Sequence, residues 1–488
     1  MIGSENESAA KDRMWMLAIG IALLWGLAAP ARAVQLVTSC GPVTGDVQLA
    51  ADLVTTGYTC LDVKADGITI DGAGHSITAG TLAVSILDHS HVTVMKIGTN
   101  QAVQIYGENA DFNMVRDSYI GKVAIYMGDD NHVENNFLTR LTVFDLNNQP
   151  AQRETIVGNY IKGTLTYDSE KLVQIRTGTD GTTAADGTPN CVSGGHLFAD
   201  NYLQGDVAPV TTTTTTNTCS GLLFCTPTTT TTTTPSTIEP HLLWIACGSD
   251  STFSGNTLVS PNLVTGIVMR DEADRNLIEN NTVRVGQGNQ GALTIMSGIT
   301  GYHHPRDNTF SGNTFRADSG RASYLEAAAP RGNTFFNNVF ASLSGSTETL
   351  RVVDGTGVTY LFDHNTFYNG GTGALVVFRN LGLGSMRFQS NIIAGQGNAI
   401  YGFDQPQGIE PSYVGLANDF YIPGLTTQVL NGWKSATGQD LNSVVGNPAF
   451  VSPSTGDFHI TAGSAARGVG QNGTDAGAYP YCSTAGTC

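Results

Sequence analysis

Asparagine returns beside an apolar or β-branched residue all along the middle of the chain. The runs are Asn135-Asn136-Phe137, Gly158-Asn159-Tyr160, Asp200-Asn201-Tyr202, Gly255-Asn256-Thr257-Leu258, Asn280-Asn281-Thr282-Val283, Gly312-Asn313-Thr314-Phe315, Asn337-Asn338-Val339-Phe340, Asn365-Thr366-Phe367 and Asn391-Ile392-Ile393. Successive anchors lie 23 residues apart from Asn136 to Asn159, then 25 from Asn256 to Asn281, 32 to Asn313, 25 to Asn338, 27 to Asn365 and 26 to Asn391. A unit of this length repeated with variable loops is the mark of a solenoid.

Each unit has the same internal order. Short β-branched and aromatic runs precede the asparagine, among them Val103-Gln104-Ile105-Tyr106, Leu141-Thr142-Val143-Phe144, Gly266-Ile267-Val268-Met269, Leu293-Thr294-Ile295-Met296 and Leu350-Arg351-Val352-Val353. A polar loop and a second strand follow, and no helix-period stretch of useful length intervenes. The expected fold is all-β: a right-handed parallel β-helix of roughly 10 to 12 coils. Strands stack on their equivalents at about 4.8 Å, inward side chains form files, and turn asparagines stack into a ladder. The asparagines are therefore scaffold.

The chain opens with Lys11-Asp12-Arg13, an apolar segment from Met14 to Ala29, and Ala31-Arg32-Ala33. Residues 1–33 read as a secretory signal peptide, since the apolar run is short for a membrane anchor and ends on small residues. The exported chain would begin near Val34 and have no membrane association after cleavage. In that setting eight cysteines without a C-x-x-C pair point to disulfides. Cys40 with Cys60 and Cys482 with Cys488 would staple the ends. Local pairing is the simplest arrangement for Cys191, Cys219, Cys225 and Cys247. With 41 acidic against 24 basic residues, the net charge of −17 argues against nucleic acid as a partner.

A resemblance becomes specific at the termini. Cys40-Gly41-Pro42 with Gly45-Asp46-Val47-Gln48-Leu49, then Asp66 to Ile77 and Ile86 to Val94, resembles the opening coils of secreted pectate-lyase-like β-helix proteins. Asn447-Pro448-Ala449-Phe450-Val451, Gly456-Asp457-Phe458-His459-Ile460 and Asp475-Ala476-Gly477-Ala478-Tyr479 resemble the final segment of many bacterial members. The resemblance implies one domain over 34–488, with an N-terminal cap near 34–62 and a closing segment near 425–488. It implies an extracellular polysaccharide as partner, but it spans lyases, glycosidases, epimerases, adhesins and phage spikes. One departure is a Thr-rich insertion near 206–238, with Thr211 to Thr216 and Thr228 to Thr234, in a 55-residue step about two coils long; it reads as a protruding low-complexity loop tied at its base by cysteines, its conformation open.

Lyases of this fold remove the proton at C5 of a uronate, using Arg or Lys near cations and often Ca²⁺; its hydrolases use spaced carboxylates. The densest charge run is Arg270-Asp271-Glu272-Ala273-Asp274-Arg275, directly after a strand. One coil later the same position holds Gly301-Tyr302-His303-His304-Pro305-Arg306-Asp307, and Glu326 follows in the next coil. Stacked in register these loops would meet. The residues expected to carry chemistry are Arg270, Glu272, Asp274, His303 and Arg306, with Asp271 and Asp274 as ligands if Ca²⁺ binds. The plain alternative is solvation of solenoid loops. A second candidate, Gly128-Asp129-Asp130-Asn131-His132, superficially looks like the paired-carboxylate element of polygalacturonases. That family's Asn-Thr-Asp, Gly-His-Gly and Arg-Ile-Lys elements are missing, so a capped turn is the better account. Three classes stay open: a polysaccharide lyase on an anionic polymer, a non-catalytic adhesin, and a structural extracellular solenoid.

Overall fold

A computed structural model gives the structure of the chain. It describes residues 33–482 except 146–149, 167–169, 184–188, 192–193, 208–209, 220–224, 235–239, 289, 297–303, 327–331, 354–358, 380–384, 397–400 and 404–412. Residues 1–32, nearly all of the segment read as a signal peptide, and Cys488 lie outside the described residues.

Three parallel sheets wind around one core. Sheet A has 15 strands in sequence order, from Gln35–Val37 to Tyr413–Leu416. Sheets B and C share single bent strands in Gly98–Tyr106, Tyr119–Tyr126 and Phe137–Phe144, and separate afterwards. Beyond that point B runs through Tyr160–Leu165, Thr257–Leu263 and Thr282–Gly288, and C through Lys171–Arg176, His241–Ala246 and Thr265–Arg270. Fifteen rungs exceed the expected 10 to 12. The excess arises because the chain is already coiling at Gln35, so the stretch expected to form a cap supplies rungs of its own.

The three-residue strands of sheet A turn one side chain inward, as strand alternation requires. That inward file reads Val94, Val115, Val133, Ile156, Phe198, Phe253, Ile278, Phe310, Phe335, Phe362 and Phe388, all buried. Its last four rings stack at 4.6, 4.8 and 4.7 Å, within the range favoured by offset aromatic pairs.

From Met95 onward each rung passes from sheet A to sheet B through two residues. The first adopts a left-handed conformation: Asn135 (φ 56°), Gly158 (67°), Asp200 (54°), Gly255 (64°), Asn280 (55°), Gly312 (65°) and Asn337 (53°). Gly, Asn and Asp tolerate that region best, so in each Asn-Asn doublet the first asparagine serves the backbone. The second builds the ladder. In Asn136, Asn159, Asn201, Asn256, Asn281, Asn313, Asn338, Asn365 and Asn391 the backbone N–H and the side-chain amide both donate to the Oδ1 one rung on. The ladder continues to Asn418, which donates to Asp440.

Asn201 and Asn256 are neighbours in this ladder, so the stretch between them is one coil and an excursion, as a protruding insertion requires. The excursion is a ribbon in which Val210–Cys219 pairs antiparallel with Cys225–Thr234, placing Cys219 opposite Cys225. Away from the ribbon, Cys191 is bonded to Cys247, 56 residues on, in the turn that follows the strand His241–Ala246 and beside the Asp271 carbonyl. The pair is not local in sequence: Cys191 and Cys247 follow the strands Lys171–Arg176 and His241–Ala246, which stack on each other in register. Cys40 is bonded to Cys60, and Cys482 is itself disulfide-bonded.

The helix Thr427–Thr437 closes the last rung with buried Leu430, between Thr426 as N-cap and left-handed Gly438 as C-cap. The chain then returns along the outer face of sheet B, seating Phe458 and Ala478 against Val339 and Ala341, and Ile460, Ala466 and Ala476 against Ile392 and Ala394. No described helix is long and apolar enough to cross a membrane.

Candidate functional site

Between sheets C and A the turns form another row, and both charged runs of the sequence fall on it. A second polar ladder lines its inner side, each backbone N–H donating to the next side chain: Asn113 to Asn131, Asn131 to Glu154, Glu154 to His196, His196 to Ser251, Ser251 to Asn276, Asn276 to Asn308, and Asn308 to Asn333. Glu154 and His196 are its two titratable members. Burial drives the Glu154 carboxyl well above the ordinary range and pulls His196 down to about 3.

On the outer side, guanidinium groups clamp carboxylates one rung away. Arg153 meets Asp129 at 3.0 Å and Asp130 at 2.7 Å, and Arg275 meets Asp250 at 2.7 Å. Asp274 accepts the Arg306 backbone N–H at 2.9 Å and its Nε at 3.1 Å. Burial raises the Asp274 carboxyl against the opposing pull of Arg306. The loops expected to meet do meet, but Asp274 and Arg306 meet each other. Each engages the other as a turn-to-turn strut, as Asp129 and Asp130 do with Arg153.

Asp271 is buried, with its carboxylate 3.7 Å from Arg270 Nε. Glu272 takes a left-handed turn (φ 61°), and its carbonyl accepts Ser249 Oγ at 2.8 Å. With both Asp274 oxygens engaged by Arg306 and Asp271 buried beside Arg270, this acid pair does not fit a resident Ca²⁺. Among the described residues no group of three or more His, Cys, Asp or Glu side chains is placed to share a metal ion. His303 lies outside the described residues.

Its neighbour His304 belongs to a different arrangement, on the outer face of sheet C. His304 Nε2 lies 3.3 Å from Glu326, both side chains about a fifth exposed. The Tyr324 hydroxyl donates to the other Glu326 oxygen at 3.0 Å. Arg321 lies 5.4 Å over the Tyr324 ring and 2.6 Å from Glu348, and Glu348 also pairs with Arg351, the register neighbour of Tyr324. Burial alone would raise the Glu348 carboxyl, but the two arginines outweigh it and hold it below the usual range. Arg270 stands on the same outer file as Glu326, one rung beyond Met296. Imidazole, carboxylate, phenol and guanidinium groups therefore converge on one strand face, a set able to move a proton beside a negatively charged ligand.

Sequence reasoning reached Arg270 and Glu326 and missed Tyr324, Arg321, Glu348 and Arg351. The available signal was charge in and just before strands: Tyr324 and Glu326 lie in Ser323–Glu326 and Arg351 in Leu350–Val353, while Arg321 and Glu348 stand two residues ahead of those strands.

Residues 233–359 match the sequence family described as right handed beta helix region. With the stacked sheets, this makes the chain a right-handed parallel β-helix protein. Among solved structures it is similar to the A-module of a mannuronan C-5 epimerase from Azotobacter vinelandii, at 14% identity and a TM-score of 0.35, covering 88% of this chain and 92% of that one. It is also similar to a mannuronic acid specific polysaccharide family 6 lyase from human gut microbiota, at 11% identity and a TM-score of 0.24, covering 84% and 85%. No curated protein matches the chain.

Proposed function

We propose that this is an exported protein that binds and processes an extracellular polysaccharide, with uronate-containing polymer as substrate and β-elimination as the reaction. The carrying observation is the convergence of His304, Tyr324 and Glu326 with arginines on one outer strand face. If His304 donates Nε2–H to Glu326, its Nδ1 keeps a lone pair for the C5 proton. The electron pair of that C–H bond becomes the C4–C5 double bond, the C4–O bond breaks, and the departing oxygen takes a proton from Tyr324. Arg270 is the cation for the substrate carboxylate. The disulfides Cys40–Cys60 and Cys191–Cys247 support export into an oxidising compartment, as does the leader-like residue order of 1–33.

The test is incubation of purified protein with pectic, alginate and glycosaminoglycan polymers, with and without Ca²⁺, following unsaturated products by ultraviolet absorbance. His304→Ala and Arg270→Ala are expected to abolish turnover without lowering the unfolding midpoint. No product on any polymer sinks the reaction, and retained binding would then favour the adhesin reading. Full activity in both variants sinks the site.

A further inference from the structure

The outer face of sheet B carries a file of rings. Tyr119, Phe137, Tyr160 and Tyr202 follow Ser118, Asn136, Asn159 and Asn201 in successive rungs and stack at 4.9, 5.0 and 5.1 Å. Tyr119 is 46% exposed. Farther along, the same face disappears beneath the chain's own return segment: Tyr479 meets Thr314 at 3.1 Å, Ala478 donates to Thr366, and Gly477 donates to Ser390. The ring-bearing half has no such cover among the described residues.

Cations flank the rings. Lys162 is exposed two residues after Tyr160 on the same strand, and Lys122 pairs in register with Arg140. Arg140 is engaged by Glu170, and Asp117 by Arg116. Neither Lys122 nor Lys162 has an ion-pair partner among the described residues. Burial and then the like charge of Arg140 press the Lys122 ammonium below its usual range. Uncompensated cations are conspicuous on a chain of net charge −17. The rings add to this polarity. Stacked face to face, they turn outward their edges, the positive rim of the aromatic quadrupole.

We propose that the Tyr119–Phe137–Tyr160–Tyr202 file with Lys122 and Lys162 is a second binding surface, taking an acidic polysaccharide laid along the axis of the helix. Charge complementarity selects the occupant: carboxylates meet the two ammonium groups, and sugar C–H and hydroxyl groups lie along the ring edges. The surface stands on a different sheet from His304 and does not depend on turnover there.

Affinity electrophoresis of the purified protein through gels containing polygalacturonate, alginate or neutral dextran tests it. Retardation by at least one acidic polymer, none by dextran, and weakening with added NaCl are expected. Lys122→Gln/Lys162→Gln should weaken binding by about tenfold or more, and Tyr119→Ala by about fivefold. His304→Ala should keep full retardation, which separates this surface from the proposed chemistry. Absence of retardation by both acidic polymers overturns the proposal, and so does unchanged retardation in the lysine and tyrosine variants. A dimer that Tyr119→Ala dissociates while glycan binding stays intact overturns it in favour of a second copy of the chain.

Discussion

Replacing Asn313 by alanine tests the ladder at a rung bonded on both sides. The side chain is fully buried; its amide donates to the Ile278 carbonyl at 2.8 Å and to Asn338 Oδ1 at 2.9 Å. Its Oδ1 accepts both the backbone N–H and the amide of Asn281 at 2.9 Å. Truncation removes these four hydrogen bonds and strands the Ile278 carbonyl and Asn281 N–H away from water. Each net bond contributes about 1 kcal/mol and an orphaned buried group costs about 1–3 kcal/mol, so the loss should reach about 3–5 kcal/mol. Solenoid stability is a sum of neighbour terms, and the damage should therefore be local. Hydrogen exchange read by mass spectrometry should show protection falling roughly a hundredfold or more in the strands Leu277–Glu279 and Thr309–Ser311, with the first rungs unchanged. A loss under about 1 kcal/mol, or one spread evenly over the chain, would refute the claim that the amides hold the rungs together.

Asp419 is buried, and burial pushes its carboxyl up to about 8 against a small opposing pull from the Gly446 N–H. Between its ordinary range and about 8 the unfolded chain releases this proton while the folded chain keeps it, so stability falls as pH rises through that window. The melting temperature of Asp419→Asn should decline less than that of the parent from pH 4 to pH 8, and parallel curves would refute the assignment. Replacing both Cys191 and Cys247 by serine opens a 56-residue loop, and chain entropy sets the loss at about 4 kcal/mol, read as a lower denaturant midpoint. Arg306→Ala leaves the buried Asp274 carboxylate without its guanidinium partner and should cost about 2–3 kcal/mol of stability, with turnover retained at temperatures where the variant stays folded; loss of turnover without loss of stability would return Arg306 to the chemistry.

The fold was legible because its repeating unit writes the same constraint many times. Gly255-Asn256, Asn280-Asn281 and Gly312-Asn313 each encode a left-handed turn residue and a ladder amide, and both requirements restrict residue type. His364, Ser390 and Ala417 take the same left-handed turn without a favoured residue. Neighbouring rungs hold them there, so the pattern fades toward the C-terminus and Asn418 escaped notice. The length of a step was less informative than its composition. The 55 residues from Asn201 to Asn256 have the length of two coils, yet their Thr-rich composition marks a protruding loop, and the hairpin leaves and re-enters without breaking the ladder.

The site was harder to read, for a reason that lies in stacking itself. In a solenoid, residues some 25 positions apart become neighbours, so a charge in a turn finds its partner one rung away. Dense charge such as Arg270 to Arg275 marks this bracing as readily as chemistry: Asp250 holds Arg275 and Asp274 holds Arg306. Acid, base and cation converge instead where charged side chains interrupt an apolar strand face. On sheet C the outer positions next to Arg351 and Tyr324 hold Thr294, Val268 and Trp244, all buried. Against that background a cluster of arginine, glutamate, tyrosine and histidine carries a desolvation cost that bracing does not require. A Tyr324→Phe/Glu326→Gln variant removes that cost and keeps the shape of the face. It should hold or raise the unfolding temperature while abolishing turnover, and a drop in stability with turnover intact would place these side chains among the struts.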